Sequence, residues 1–157
     1  IGGIGGVVVS GGGGIGVVSM GNSIINGGAI TGGKAANGAQ ANAVSFFGGG
    51  NTLELENGYS FGGNVVSTSG TTNGGDTLDL GGNTNAGFAV SNVVPSQSTS
   101  LTGTQYVGFN HLEEDASTGT TWTITGTNNS GLGWDLNGGI LSVSSANALG
   151  SAALTFN

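Results

Sequence analysis

The sequence predicts an all-β fold, a parallel β-solenoid of about six or seven coils. Three observations predict it. First, Gly48-Gly49-Gly50-Asn51-Thr52-Leu53-Glu54-Leu55-Glu56 is echoed by Asn73-Gly74-Gly75-Asp76-Thr77-Leu78-Asp79-Leu80-Gly81. The echo continues from Phe61 to Phe88 and from Asn64-Val65-Val66 to Asn92-Val93-Val94, the offset growing from 25 to 28 residues. A repeat of that length is the signature of stacked units. Second, apolar and polar residues alternate within each unit, the period of a strand with one buried face. Third, Gly-Gly and Asn-Gly pairs punctuate the apolar runs, as turns require.

The elements follow in order. Val7-Val8-Val9 and Ile15-Gly16-Val17-Val18 read as thin strands between glycine clusters. Asn22 to Gly33 reads as strand, Asn-Gly turn, strand and glycine turn. Residues 34–43 carry the weakest pattern and fit a short helix or an excursion. Residues 43–94 hold the clearest tandem repeat. There Leu53 is expected over Leu78, Leu55 over Leu80 and Phe61 over Phe88, each buried Leu contributing about 1.5–3 kcal/mol. Outside, Glu54 over Asp79 would be a like-charge pair, tolerable in solvent or with a cation. Residues 95–105, with Pro95, read as a loop. Residues 106–157 form a Trp-containing repeat block: a strand from Tyr106 to Leu112, an acidic turn at Glu113-Glu114-Asp115, and strands at Thr121–Thr125 and Gly139–Ser144. The alternation turns Trp122 and Ile124 inward. Leu154-Thr155-Phe156 begins a last strand. Residues 1–157 are expected to form one solenoid segment, a rod about 30 Å long.

Composition limits function. There is no Cys, so neither a disulfide nor a thiolate metal site is available. The 36 glycines approach a low-complexity chain, but 36% hydrophobic and 6% charged residues oppose the profile of disorder. Lys34 is the only Lys or Arg against eight acids, for a net charge of −7. That excludes nucleic acid as a partner and disfavours anionic membranes. The opening Ile1 to Met20 is too glycine-rich to span a membrane and lacks the pattern of a signal peptide. The chain reads as a mature segment or an excised fragment.

These stretches resemble the passenger domains of Gram-negative autotransporters, the type V secreted surface proteins, and especially the adhesin-like ones. Gly50-Asn51-Thr52-Leu53-Glu54-Leu55 and Gly75-Asp76-Thr77-Leu78-Asp79-Leu80 are similar to their Gly-Asn/Asp-Thr-Leu repeat. Tyr106 to Glu113, with Gly119 to Gly126, resembles their aromatic and Gly-Thr-Trp-Thr block. Gly138-Gly139-Ile140-Leu141-Ser142-Val143, with Ala148-Leu149-Gly150, resembles the passenger-associated transport repeat. Asn22 to Gly33 resembles their Asn-Ser-Gly-Thr segments. The resemblance covers most of residues 22–157. It implies a right-handed parallel β-helix, export across both membranes, and an extracellular or bacterial cell-surface location. The family's C-terminal barrel is not in this sequence, and the family includes adhesins, enzymes and toxins.

The candidate chemistry is thin. Gly28 to Ala35 nearly spells a P-loop, but Ala35 stands where a Mg²⁺-holding Ser or Thr is required. Asp76 and Asn51 read as turn caps, the alternative being part of a degenerate calcium repeat. Asp79 and the acidic turn Glu113, Glu114 and Asp115 are weak cation candidates beside the reading of a solvated surface. No catalytic, cofactor-binding or metal residue is assigned, and folding is expected not to need Ca²⁺. His111 reads as a structural residue rather than a catalytic base. Glu54 and Asp79 are the only stacked carboxylates a glycosidase could use. Trp122 lies on the buried phase, and the phase of Trp134 is undetermined. The expectation is a non-catalytic structural and adhesive segment whose partner is a surface receptor or glycan. The alternatives are a self-associating fibre subunit, growing end to end, and a polysaccharide-acting enzyme.

Overall fold

A computed structural model describes residues 13–97 and 103–157. The Val7-Val8-Val9 run and residues 98–102 of the expected loop lie outside the described residues. In chain order the strands are β1 (Val17–Met20), β2 (Ser23–Asn26), β3 (Ala29–Thr31), β4 (Val44–Phe47), β5 (Thr52–Leu55), β6 (Ser60–Gly62), β7 (Val65–Ser67) and β8 (Thr77–Leu80). They continue with β9 (Ala86–Ala89), β10 (Val93–Val94), β11 (Tyr106–Val107), β12 (His111–Glu114), β13 (Thr121–Thr125), β14 (Trp134–Leu136), β15 (Ile140–Val143) and β16 (Leu154–Phe156). Short 3-10 turns occupy Thr72–Gly74 and Val90–Asn92.

The all-β reading stands, but the closed solenoid of six or seven coils, the right-handed parallel β-helix that the resemblance implied, does not. The strands fall into four separate sheets of five, six, three and two strands. The five-stranded sheet runs β1-β4-β7-β11-β10, out of chain order, because β11 returns to lie between β7 and β10. The three-stranded sheet, β15-β13-β9, and the two-stranded sheet, β3-β6, share no strand. Pairing is parallel in all four, and an isolated antiparallel bridge joins Lys34 to Gln40. That bridge makes residues 34–43 an excursion rather than a helix.

The register explains which repeats hold. Leu53 pairs with Leu78 and Leu55 with Leu80, and all four are buried. Phe61 does not lie over Phe88. The two are on different sheets, and the Tyr106 ring sits between them, 6.0 Å from Phe61 and 5.4 Å from Phe88 by centroids. The inserted β11 likewise separates Val65 from Val93, since Tyr106 pairs with both. A two-residue strand that carries one large ring therefore interrupts the second half of each repeat. Its edge-on contact with Phe61 is a geometry aromatic pairs prefer, and its contact with Phe88 is tilted.

The core joins these sheets through Phe46, Leu53, Leu78, Phe88, Leu112, Trp122, Ile124 and Trp134. Turns are built by glycine where side chains cannot fit. Gly49 has φ +72, and a Cβ there would overlap the carbonyl oxygen of Thr72. No helix among the described residues is long and apolar enough to cross a membrane.

Candidate functional site: a carboxylate row on the six-stranded sheet

The six-stranded sheet runs β16-β14-β12-β8-β5-β2. Its register carries Thr155, Asp135, Glu113, Asp79, Glu54 and Ile25 into one row across six strands. Leu53, Leu78 and Leu112 hold the neighbouring row in the core, so period-2 geometry turns this one to the other face. Four consecutive members are acids. Neighbouring strands lie about 4.8 Å apart, so like charges oppose one another directly, an arrangement that destabilises unless something compensates.

Asp79 is the centre of the row. It is only 7% exposed, and its Oδ1 has no hydrogen-bond partner. Burial first, then the charges of Glu54, Glu113, Asp115 and Glu114, push its pKa up to about 7. Glu54, half-buried, is raised by burial and then by Glu56, against a backbone hydrogen bond at Gly82. Its side chain crosses onto the neighbouring strand. A Cβ on Gly81 would overlap Glu54 Oε1, so glycine at 81 makes room for that carboxylate beside Asp79. Gly81 and Asp79 share a face of the chain, two residues apart. The Gly81 carbonyl accepts the Trp122 Nε1–H at 3.0 Å, which ties the floor of this site to the core.

Asp76, three residues earlier, has the opposite environment. It is fully buried, yet its Oδ1 accepts the Asn51 backbone N–H at 3.0 Å and the Asn51 side-chain amide at 2.8 Å. Its Oδ2 accepts the hydroxyls of Ser67 at 2.7 Å and Ser69 at 2.8 Å. Burial raises its pKa, but these bonds outweigh burial and hold it below the usual carboxylate range. The pattern is a ladder of hydrogen bonds. Asn22 N–H donates to Asn51 Oδ1, Asn51 N–H to Asp76, and Asp76 N–H to Asn110 Oδ1. Asn51 and Asp76 do not cap their own turns: apart from the Asn51 amide on the Phe47 carbonyl, these bonds run to residues seven or more positions away, chiefly between neighbouring repeats, and each Asp76 oxygen accepts two of them.

The acidic turn is corrected. Glu113 and Glu114 belong to strand β12, paired with Asp79 and Leu80, and only Asp115 lies beyond it. Glu113 is half-buried and Asp115 exposed. Glu114 is wholly buried in the row of Leu55, Leu80 and Leu136, and neither carboxylate oxygen has a well-formed hydrogen bond. Burial pushes its pKa up to about 7, against the nearby Ala116 amide. The signal was present in the sequence. His111-Leu112-Glu113-Glu114 is a third copy of Thr77-Leu78-Asp79-Leu80, with Glu114 replacing an inward Leu.

The remaining candidates do not join this site in a catalytic arrangement. His111 is exposed at the start of β12, its Nε2 2.8 Å from the Gly74 carbonyl. Trp122 and Trp134 are both buried, so neither presents a face to a glycan. Lys34 stands in the excursion, and no helix follows Gly32-Gly33-Lys34 to complete a P-loop. Two surface hollows, one at Thr68, Val93, Phe109 and Leu132 and one at Leu136, Ile140 and Phe156, are lined by no titratable side chain. Among the described residues, no group of three or more His, Cys, Asp or Glu side chains is placed to hold a metal ion. Comparison with protein-family models, with curated proteins and with solved structures gives no match.

Proposed function

We propose that the chain is a non-catalytic structural and adhesive segment of a surface-displayed or secreted protein of the autotransporter-passenger kind, acting outside the cell on a surface receptor or glycan. The separation of its chemical groups carries this reading. Neither of the two hollows is lined by a titratable side chain, while the carboxylates line up on an open sheet face. An enzyme needs the two together, a concave site with convergent titratable groups. The test displays the chain on Gram-negative cells through an unrelated outer-membrane barrel. Displaying cells are scored for retention on glycan and matrix-protein arrays, and the purified chain is assayed on acidic and neutral polysaccharides. Retention without turnover is expected. Polysaccharide cleavage that disappears in Glu54→Gln overturns the proposal.

A self-associating fibre subunit is the second reading, and the outer strands favour it. Ile25 on β2 and Phe156 on β16 bound opposite edges of the six-stranded sheet, 62% and 74% exposed. Val18 and Met20 are exposed on β1, and Ile140 and Val143 on β15. Edges that are unpaired among the described residues and carry apolar side chains can accept a further strand. Light scattering that grows with concentration, and stops growing in Phe156→Lys, is the expected result. A stable monomer at high concentration refutes this reading alone.

A further inference from the structure

We propose that Asn57 is a site of spontaneous covalent modification: the Gly58 backbone nitrogen closes a succinimide on the Asn57 side chain, and hydrolysis leaves aspartate or isoaspartate in the turn between β5 and β6. The chemistry is intramolecular. Water or hydroxide takes the Gly58 amide proton, and the nitrogen attacks Asn57 Cγ. The new C–N bond forms as the Cγ–Nδ2 bond breaks, and Nδ2 takes a proton and leaves as ammonia. Water then opens the ring. Cleavage of the new Cγ–N bond gives aspartate, and cleavage of the original peptide C–N bond gives isoaspartate. A following glycine favours the attack, because no side chain shields its nitrogen and its backbone turns freely.

The chain has five Asn-Gly pairs, at Asn26, Asn37, Asn57, Asn73 and Asn137. The fold separates them by whether the glycine nitrogen is free and whether water reaches the amide. The Gly38 N–H donates to the Ala35 carbonyl at 2.9 Å, Gly74 N–H to Thr71 at 3.2 Å and Gly138 N–H to Glu114 at 3.2 Å. The side chains of two of these pairs are held as well: Asn37 Oδ1 accepts the Ala39 N–H at 3.0 Å, and Asn137 Oδ1 the Asn157 amide at 2.6 Å. Asn26 is buried in the row of Leu55 and Leu80, with its Oδ1 on the Gly28 N–H at 3.1 Å. Asn57 and Gly58 are both exposed, in a tight turn closed by the Tyr59 N–H on the Glu56 carbonyl at 3.1 Å, with Gly58 at φ +93. Among the described residues the Gly58 N–H has no hydrogen-bond partner. Of the five pairs, only this one joins a free nitrogen to an exposed amide. The Asn57 Nδ2 donates to the Asn85 carbonyl at 3.0 Å, and Asn85 Oδ1 accepts the Thr121 N–H at 2.8 Å. Modification therefore cuts a chain of bonds from the β5–β6 turn, through the β8–β9 connection, to the start of β13. It sets a carboxylate against a carbonyl and adds a negative charge next to Glu56.

The test ages the purified whole chain for days at pH 6 and at pH 8 and maps it by peptide mass spectrometry, with an isoaspartyl methyltransferase to mark isoaspartate. Exchange of NH₂ for OH should appear first at Asn57, about tenfold or more faster than at each of the other four pairs, because those react only after the local opening that frees them. It should run faster at pH 8 than at pH 6, since base removes the Gly58 proton. In urea, where all five pairs are open, the preference should vanish. The aged protein should melt about 2–4 °C below the fresh one through loss of the Asn57–Asn85 bond. Asn57→Gln, whose longer side chain closes a larger ring far more slowly, should not drift on ageing. Equal rates at all five pairs in the folded chain, a faster reaction at another pair, or a preference for Asn57 that persists in urea overturns the proposal. A chain modified at Asn57 that melts like the fresh protein overturns the part assigned to the Asn57–Asn85 bond.

Discussion

Replacing Asp79 by Asn in the absence of divalent cations should stabilise the protein at neutral pH. The folded carboxyl has its pKa pushed from 3.8 up to about 7, chiefly by burial and then by Glu54 and Glu113. Such a group binds more protons folded than unfolded between those values, so stability falls as pH rises from about 4 to 7 and is level above. Each pKa unit corresponds to about 1.4 kcal/mol, so a shift of this size sets a ceiling of about 4 kcal/mol. The row is partly open to solvent at Glu54 and Glu113, which screens part of that, and a buried Asn amide without a partner costs about 1 kcal/mol of its own. About 1–3 kcal/mol remains, a rise in Tm of about 3–9 °C at pH 8. The assay is a set of melts followed by circular dichroism in EDTA from pH 4 to pH 8. The two proteins should converge near pH 4 and separate steadily to pH 7. Part of the slope should survive in the variant through Glu114, which titrates in the same window. A variant that melts at or below the parent at pH 8, or a parent whose stability does not fall between pH 4 and 7, would refute the electrostatic account of this row.

Other perturbations separate the parts of the fold. Leu78→Asp places a charge in the fully buried Leu53-Leu78-Leu112 row and should abolish the cooperative melt, while Thr77→Asp, on the opposite phase of β8, should cost about 1 kcal/mol or less. Asp76→Ala strands two Asn51 donors and two serine hydroxyls and should cost about 3–4 kcal/mol in a urea titration. The stability that Asp76 supplies has the opposite pH sign to that of Asp79: its depressed pKa means stability is lost as pH falls below about 4. Glu114→Leu completes an apolar row and removes two oxygens without good partners, and should add about 1–3 kcal/mol at pH 8, read from the urea midpoint.

The sequence by itself determined the local features. Alternation in Thr52-Leu53-Glu54-Leu55 and Thr77-Leu78-Asp79-Leu80 marked the strands and their inward phase, because a period of two is a property of the backbone that any window reveals, and the echo at an offset of 25 residues marked their mutual register. Asn51 and Asp76 were legible as hydrogen-bonding residues before a strand, but their partners, chiefly in neighbouring repeats, were not. Only the tertiary structure decided which strand lies beside which. The second halves of the two repeats match in sequence, yet Tyr106 and Val107 come back from beyond the Pro95 loop to separate them. Burying that ring between Phe61 and Phe88 is a contact across many residues, invisible to any local pattern. The same holds for the carboxylates. Glu113 and Glu114 read as a turn because adjacent acids favour water, and pairing with β8 drew both into a strand. Charge alone marked Asp79 as acidic. The packing of Glu54 over Gly81 and of β12 alongside is what buried it, left one oxygen without a donor and set its pKa near neutrality.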